Sequence, residues 1–327
     1  MSYTEQAENS SGSKACRQGG KILFLLGLLL VLIFPFFFWY GPEYHSPRSY
    51  KAVWNLGHIL FFTIATVFAC NLAWRRAMPV DQKFVLVLFA AGVIVGILIE
   101  IVQRGIGGRS VDCWDVYRDI LGICVGIFSC QAIALSFPLQ RFFGIMLVVL
   151  LFFSAIPLVT ALIDEGLAAR QFPILADFET PFEATRFMPA DRTGRSGKYA
   201  RTGRHSLRVQ LTTADYSGVS LFYFPHDWRG FQTLHFSVYN PARETIILHC
   251  RIHDKRHKQY GSLFADRFNR KLLLRAGWND FQVSLASVRQ APSNRIMDMS
   301  AIESFMLFVA REPHSRVLYL DHIFLSR

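Results

Sequence analysis

Apolar residues fall along this chain in two contrasting patterns. Up to about residue 163 they come in long unbroken runs, of which Phe84 to Ile99 is the clearest. Beyond about residue 175 they come in short alternating segments separated by turn residues. A helix needs about 20 apolar residues to cross a bilayer. Five runs, at 22–40, 52–73, 84–103, 119–137 and 142–163, reach or approach that length. The first follows Lys14, Arg17 and Lys21, as a signal peptide would. It ends in the aromatic run Phe36 to Tyr40 rather than in a small-residue cleavage site, so it reads as a retained span.

The second pattern predicts strands at 206–211, 217–224, 233–239, 245–252, 271–274, 278–285, 304–309 and 316–325, with a helical turn at 300–304. Many short alternating segments at such spacing indicate a β-sandwich or jelly roll. The predicted architecture is a membrane α-helical bundle of five spans joined to an all-β jelly-roll sandwich. Its divisions are a disordered cytoplasmic tail (1–21), a transmembrane domain (22–163), a linker around Pro173 (164–174) and an extracytoplasmic sandwich (175–327).

Charge orients this arrangement. Basic residues of short loops collect on the cytoplasmic side of a membrane. With the N-terminus inside, seven fall inside (Lys14, Arg17, Lys21, Arg75, Arg76, Lys83, Arg141) and five outside (Arg48, Lys51, Arg104, Arg109, Arg118). An odd number of spans then puts the sandwich outside the cytoplasmic (inner) membrane. Residues 164–327 carry 23 basic and 16 acidic side chains, most of the net charge of +11. A basic exterior suits anionic lipid or an anionic glycan, or is simply a solvated surface. Nucleic acid does not suit a domain outside the cell. Cys250 is alone in the sandwich, so no disulfide framework is expected there.

The candidate chemistry of the membrane half gathers where spans three and four meet. Glu100 lies inside an apolar run, and an ionisable residue in a span is by default a functional-site hypothesis. Gln103 is three residues on and shares its face. Arg109 and Ser110 follow in a short loop, then Asp112, Asp115 and Asp119 at spacings of three and four. His58 lies about two turns into span two. Together these residues would form an outward polar pocket. Two readings compete: a ligand or acid/base site, or a network that caps span four and fixes topology. Gly92/Gly96 and Gly122/Gly126 have the spacing that lets helices approach closely, which would pack span three on span four.

At these residues the chain resembles the VanZ-like family. Glu100-Ile101-Val102-Gln103, Gly108-Arg109-Ser110, Asp112, Asp115-Val116, Leu121-Gly122 and the upstream His58 follow the family pattern over about 50–137. It departs at Asp119, where the family has Asn, and at Trp54-Asn55, where it has Asp-Lys. The resemblance implies an integral membrane protein of the cell envelope, in a family named for glycopeptide antibiotic resistance.

Over most of 175–327 the chain resembles galactose-binding-like jelly rolls, through Asp177-Phe178-Glu179, Gly203 to Val209, Asp227 to Asn240, Gly277 to Phe281 and Leu318 to Ile323. Similar folds often hold a structural calcium ion with an early and a late acidic residue, which implies Glu179 and Asp321 as ligands. No other cofactor is expected. Trp228, Arg251 and Tyr260 are candidate glycan-binding residues, with core packing as the competing role for Trp228. The function expected is recognition of an envelope glycan or lipid-linked glycan precursor, with membrane lipid as surroundings. The alternatives are a membrane enzyme using Glu100 or His58 as acid/base, and a proton-coupled transporter.

Overall fold

The computed structural model describes residues 20–39, 41–105, 113–131 and 136–327. It divides into two compact units, one up to Val159 and one from Thr160 to Arg327. The first is helical: α1 (Gly20–Phe37), α2 (Arg48–Arg75), α3 (Gln82–Gly105), α4 (Cys113–Ser129) and α5 (Phe137–Gln171), the last running on into the second unit. Local chemistry sets the boundaries. Pro47, which has no N–H to donate, sits just before α2. Asp81 caps α3 by accepting the Phe84 N–H at 2.9 Å.

Among the described residues, α1, α2, α3 and α5 are long and apolar enough to cross a membrane, by length and composition. The span expected at 119–137 is α4, which begins at Cys113 and ends at Ser129. Its 17 residues extend about 26 Å, short of a hydrocarbon core of roughly 30 Å. Its first two turns add the charged Asp115 and Arg118 ahead of Asp119, where the expected span began. The helix is central, packing on both α2 and α3. Gly122 makes the α2 contact possible, since a Cβ there would lie 2.5 Å from the Ile59 carbonyl. So the expected pairing of the glycines is revised. Those of α4 face α2, whereas Gly92 and Gly96 of α3 face Ile123 and Asp119 of α4.

The second unit is a sandwich of two antiparallel sheets. One holds β3 (Thr193–Ser196), β4 (Ser206–Leu211), β11 (Arg316–Ser326), β6 (Thr233–Asn240) and β9 (Gly277–Ser284) in that order, with β1 (Ile174–Ala176) paired to β11. The other has the order β2 (Phe187–Met188), β5 (Tyr216–Leu221), β10 (Ile302–Ala310), β7 (Ile246–Asp254) and β8 (Phe268–Leu274). Alternation fills the space between them. Phe236, Leu320, Leu248, Ile252, Phe305 and Leu307 all point into one core. The helical turn expected at 300–304 is a turn leading into β10, and the short helix is α6 (Leu285–Arg289).

Residues 164–171, expected as linker, are the last turns of α5. Asp164 there is clamped by the fully buried Arg186. The Arg186 Nε donates to both carboxylate oxygens at 3.0 Å and an Nη donates at 2.7 Å. The other Nη donates to the Leu175 carbonyl at 2.8 Å.

Candidate functional site

The outward face of the β2-β5-β10-β7-β8 sheet carries a cleft of about 690 Å³. The inward positions of β7 and β10 are spent on the core, so their alternate residues must face out. Strand register sets these into two rows. Gly218, Phe308, His249 and Lys271 lie across one, and Ser220, Met306, Arg251 and Asn269 across the next. In the first row the His249 and Phe308 rings stack at 5.0 Å with a 16° interplanar angle. Gly218 leaves room for this plate, since a Cβ there would lie 2.4 Å from the Phe308 Cα. Tyr216 and Arg192 line the β2–β5 side, and Phe264 and Arg267 the β8 side.

Behind the cleft lies a chain of ionic contacts. Asp254 and Asp266 are bridged by Arg295 through four hydrogen bonds of 2.6–2.8 Å. Asp266 accepts from the His257 Nδ1 at 3.1 Å, which leaves the His257 Nε2 to accept from Arg251 at 3.2 Å. Burial pushes the His257 imidazole below its ordinary range, in keeping with a neutral ring that accepts on one side. Arg295 holds the Asp266 carboxyl low. Burial, and then the charge of Arg267, lower the Arg251 guanidinium to about 10, where it is still protonated at neutral pH.

Of the three expected glycan-binding residues, Arg251 lines this cleft. Trp228 does not and needs correction. It is 1% exposed, packs against Phe224 and donates its Nε1–H to the Pro225 carbonyl, so it offers no face to a sugar. Tyr260 is half exposed, but it lies over the Arg295 guanidinium rather than along the cleft. The stacked pair of His249 and Phe308 went unnoticed in the sequence.

Glu179 and Asp321 both engage one loop, but not as a cation cage. Glu179 accepts the backbone N–H groups of Arg204 (2.7 Å) and His205 (2.9 Å). Asp321 accepts those of Arg201 (2.6 Å), Thr202 (3.1 Å) and His322 (2.7 Å). This donor set does not fit the expected calcium ion, because amide N–H groups point where a cation would need oxygens. Among the described residues no three His, Cys, Asp or Glu converge as a metal site.

In the helical unit the structure joins part of the expected pocket. The His58 Nδ1 lies 2.8 Å from Asp119 and its Nε2 3.8 Å from Asp115. Asp115 also pairs with Arg118, which the expected set omitted. The Asp119 carboxylate rests against Gly96, and Glu100 is buried one turn further along α3. Gln103 donates to the Phe37 carbonyl at 2.8 Å. Arg109, Ser110 and Asp112 lie outside the described residues.

No protein-family model and no curated protein matches the chain. Among solved structures, the sandwich is similar to a family 11 carbohydrate-binding module of Clostridium thermocellum in complex with a β-1,3-1,4-mixed-linked tetrasaccharide. Identity is 14%, the TM-score 0.35, and the match covers 47% of this chain and 94% of the module. It is also similar to TmCBM61 in complex with β-1,4-galactotriose, at 10% identity and TM-score 0.31, covering 46% of this chain and 94% of that one. An exo-β-agarase matches at 15% identity and TM-score 0.38, covering 47% of this chain but only 24% of the agarase.

Proposed function

We propose that this chain is a membrane protein that recognises a glycan of the cell envelope through the cleft of its β-sandwich. The observation that carries the reading is the floor of that cleft. The stacked Phe308 and His249 rings, both partly exposed, offer aromatic surface, and Arg251 in the next row offers a charged donor beside it. Sugars are bound in this way, by stacking under the ring and hydrogen bonds at its rim. The apolar helices support a membrane anchor. The resemblance over 50–137 to the VanZ-like family supports the envelope setting.

The full chain, purified in a neutral detergent, is tested against an oligosaccharide array. Binding of at least one glycan is expected, with Phe308→Ala weakening it ten-fold or more, roughly the worth of a lost stacking contact. Binding that ignores the loss of Phe308 removes the cleft as the site.

A second reading has its own observation. His58 faces a carboxylate at each ring nitrogen within the helical unit, an arrangement able to accept and pass a proton. It supports acid/base chemistry or proton coupling there, with a lipid-linked glycan as substrate or cargo. A loss of envelope function in His58→Gln with glycan binding intact would favour it.

A further inference from the structure

We infer that the cleft takes an anionic saccharide, a uronate or a sulfate ester, whose oxyanion is gripped between Arg251 and Arg267. The inference deepens the glycan reading above and rests on it.

The charges around the cleft have one sign. The described residues that line it include the cations Arg192, Arg251 and Arg267 and no carboxylate. Lys271 stands next to His249 in the same row. Arg192 has an acidic neighbour, Asp191, but at 3.8 Å and largely in solvent. Among the described residues the two central arginines form no ion pair with a carboxylate. The Nε atoms of both Arg251 and Arg267 are buried and, among the described residues, have no hydrogen-bond partner. Arg251 spends one Nη on the neutral His257, and Arg267 lies over the Phe264 ring at 5.1 Å. Neither contact supplies negative charge.

Buried arginines elsewhere in this unit are treated otherwise. Arg186 is paired with Asp164 and Arg295 with Asp254 and Asp266 through charge-assisted bonds. A guanidinium is built for such pairing, because its planar fork of donors matches a two-oxygen acceptor. Two guanidiniums that share a cleft, each with an idle donor, leave room for an oxyanion brought from outside. Burial lowers both, and the charge of Arg267 adds to the effect on Arg251. A bound oxyanion would relieve that repulsion.

The spacing suits a sugar that bears the charge. Arg251 is two residues from His249 on one face of β7, about 6.6 Å along the strand. A ring set against the exposed part of the Phe308–His249 pair would therefore hold an exocyclic group within reach of Arg251. A phosphatidylglycerol headgroup would supply the same charge but has no ring to set against the aromatic pair, so the saccharide is the better match.

The test uses the full chain in a neutral detergent. The probes are oligogalacturonate beside its carboxyl-reduced form, carrageenan oligosaccharides beside their desulfated form, and phosphatidylglycerol vesicles. One of the acidic saccharides should bind roughly ten-fold or more tightly than its neutralised partner, and the advantage should shrink as salt rises. Arg251→Gln and Arg267→Gln should each abolish most of the preference while weak binding of the neutral form persists. A melting curve that matches the parent shows that the variants are folded. Equal binding of acidic and neutral forms, or a preference that survives both substitutions, overturns this inference and leaves the glycan reading standing. Absence of binding to every saccharide overturns both. Binding to vesicles alone also overturns both and assigns the cleft to anionic lipid.

Discussion

On the buried side of the β-sandwich, arginines arrive with their counter-ions. Arg186 holds Asp164, and Arg295 bridges Asp254 and Asp266. On the outer face of the β2-β5-β10-β7-β8 sheet, Arg251 and Arg267 stand in a cleft with no carboxylate among its described lining. The same side chain thus serves two ends in one domain. Where it is saturated, removing it strands a buried carboxylate, and stability depends on it. Where no carboxylate among the described lining meets it, the fold compensates its charge only weakly, as a site for an anionic ligand would. The helical unit follows the first pattern, with His58 set between Asp115 and Asp119 and Arg118 beside Asp115.

The largest effect that could break this comparison is at the saturated positions. Arg186→Met leaves Asp164 buried without its guanidinium, and Arg295→Met strips the fully buried Asp254 and its neighbour Asp266. Each should lower unfolding stability by roughly 3–5 kcal/mol, the cost of an uncompensated buried charge. Denaturant unfolding followed by tryptophan fluorescence would measure it, since Trp228 lies in the core. A loss below about 1 kcal/mol would mean that neither clamp is structural.

Next comes the floor of the cleft. A Cβ at Gly218 would lie 2.1 Å from the Leu307 carbonyl and 2.5 Å from the Phe308 Cβ. The obstacle is mostly backbone of the paired strand, which cannot step aside as a flexible side chain would. Gly218→Ala should therefore cost about 1–3 kcal/mol, as overpacking does, and also weaken glycan binding by displacing Phe308. Unchanged stability would show that β5 and β10 part more easily than their register implies.

How much of this was legible in the sequence follows from what each feature depends on. β4, β6, β9 and β11 were readable because local alternation specifies them, and the structure moves their ends by at most one residue. β1 and β2 span three and two residues, too short to alternate. β3, Thr-Gly-Arg-Ser, is polar and pairs only through its backbone with β4. The cleft could not be read at all, because Gly218, Phe308 and His249 meet through strand register across long separations in sequence. Arg251 was visible as a basic residue near a strand end, but its lack of a carboxylate is a tertiary fact. Trp228 stayed open between core and binding face because aromatic chemistry is the same in both, and its burial against Phe224 and its bond to the Pro225 carbonyl place it in the core. In the helical unit, helical spacing put Asp115 and Asp119 on one face, and the structure sets His58 against it.

Acidification should act more gently. His226, His235, His249 and His257 are all lowered from the ordinary 6.5, with burial the largest cause in each. A histidine so lowered binds its proton more weakly folded than unfolded. The unfolded chain then takes up more protons, and stability rises with pH. Stability should be full above 6.5 and decline as pH falls through that value. Lower still, Glu179, Asp266, Asp280 and Asp298 add to the decline, because their folded carboxyls are held below the ordinary range. Asp321, raised by burial, opposes them. Melting temperatures of the full chain between about pH 7 and about pH 5 would check the sign. A rise in stability on acidification would contradict it.

The smallest expected change sharpens the comparison most. Arg251→Met removes a half-buried charge whose Nε has no partner among the described residues and which lies beside another guanidinium. It gains by ending desolvation and repulsion, and replacement of poorly compensated charge by an apolar side chain of similar volume is often neutral or stabilising. It loses one hydrogen bond to His257, worth about 0.5–1.5 kcal/mol. These terms offset, so unfolding stability should stay within about 0.5 kcal/mol of the parent, while the preference for acidic saccharides disappears. Arg295→Met is the matched control: same chemistry, same domain, but a large loss of stability. Should Arg251→Met destabilise as much as Arg295→Met, Arg251 would be holding the fold rather than waiting for a ligand, and the contrast between bare and saturated arginines would fail.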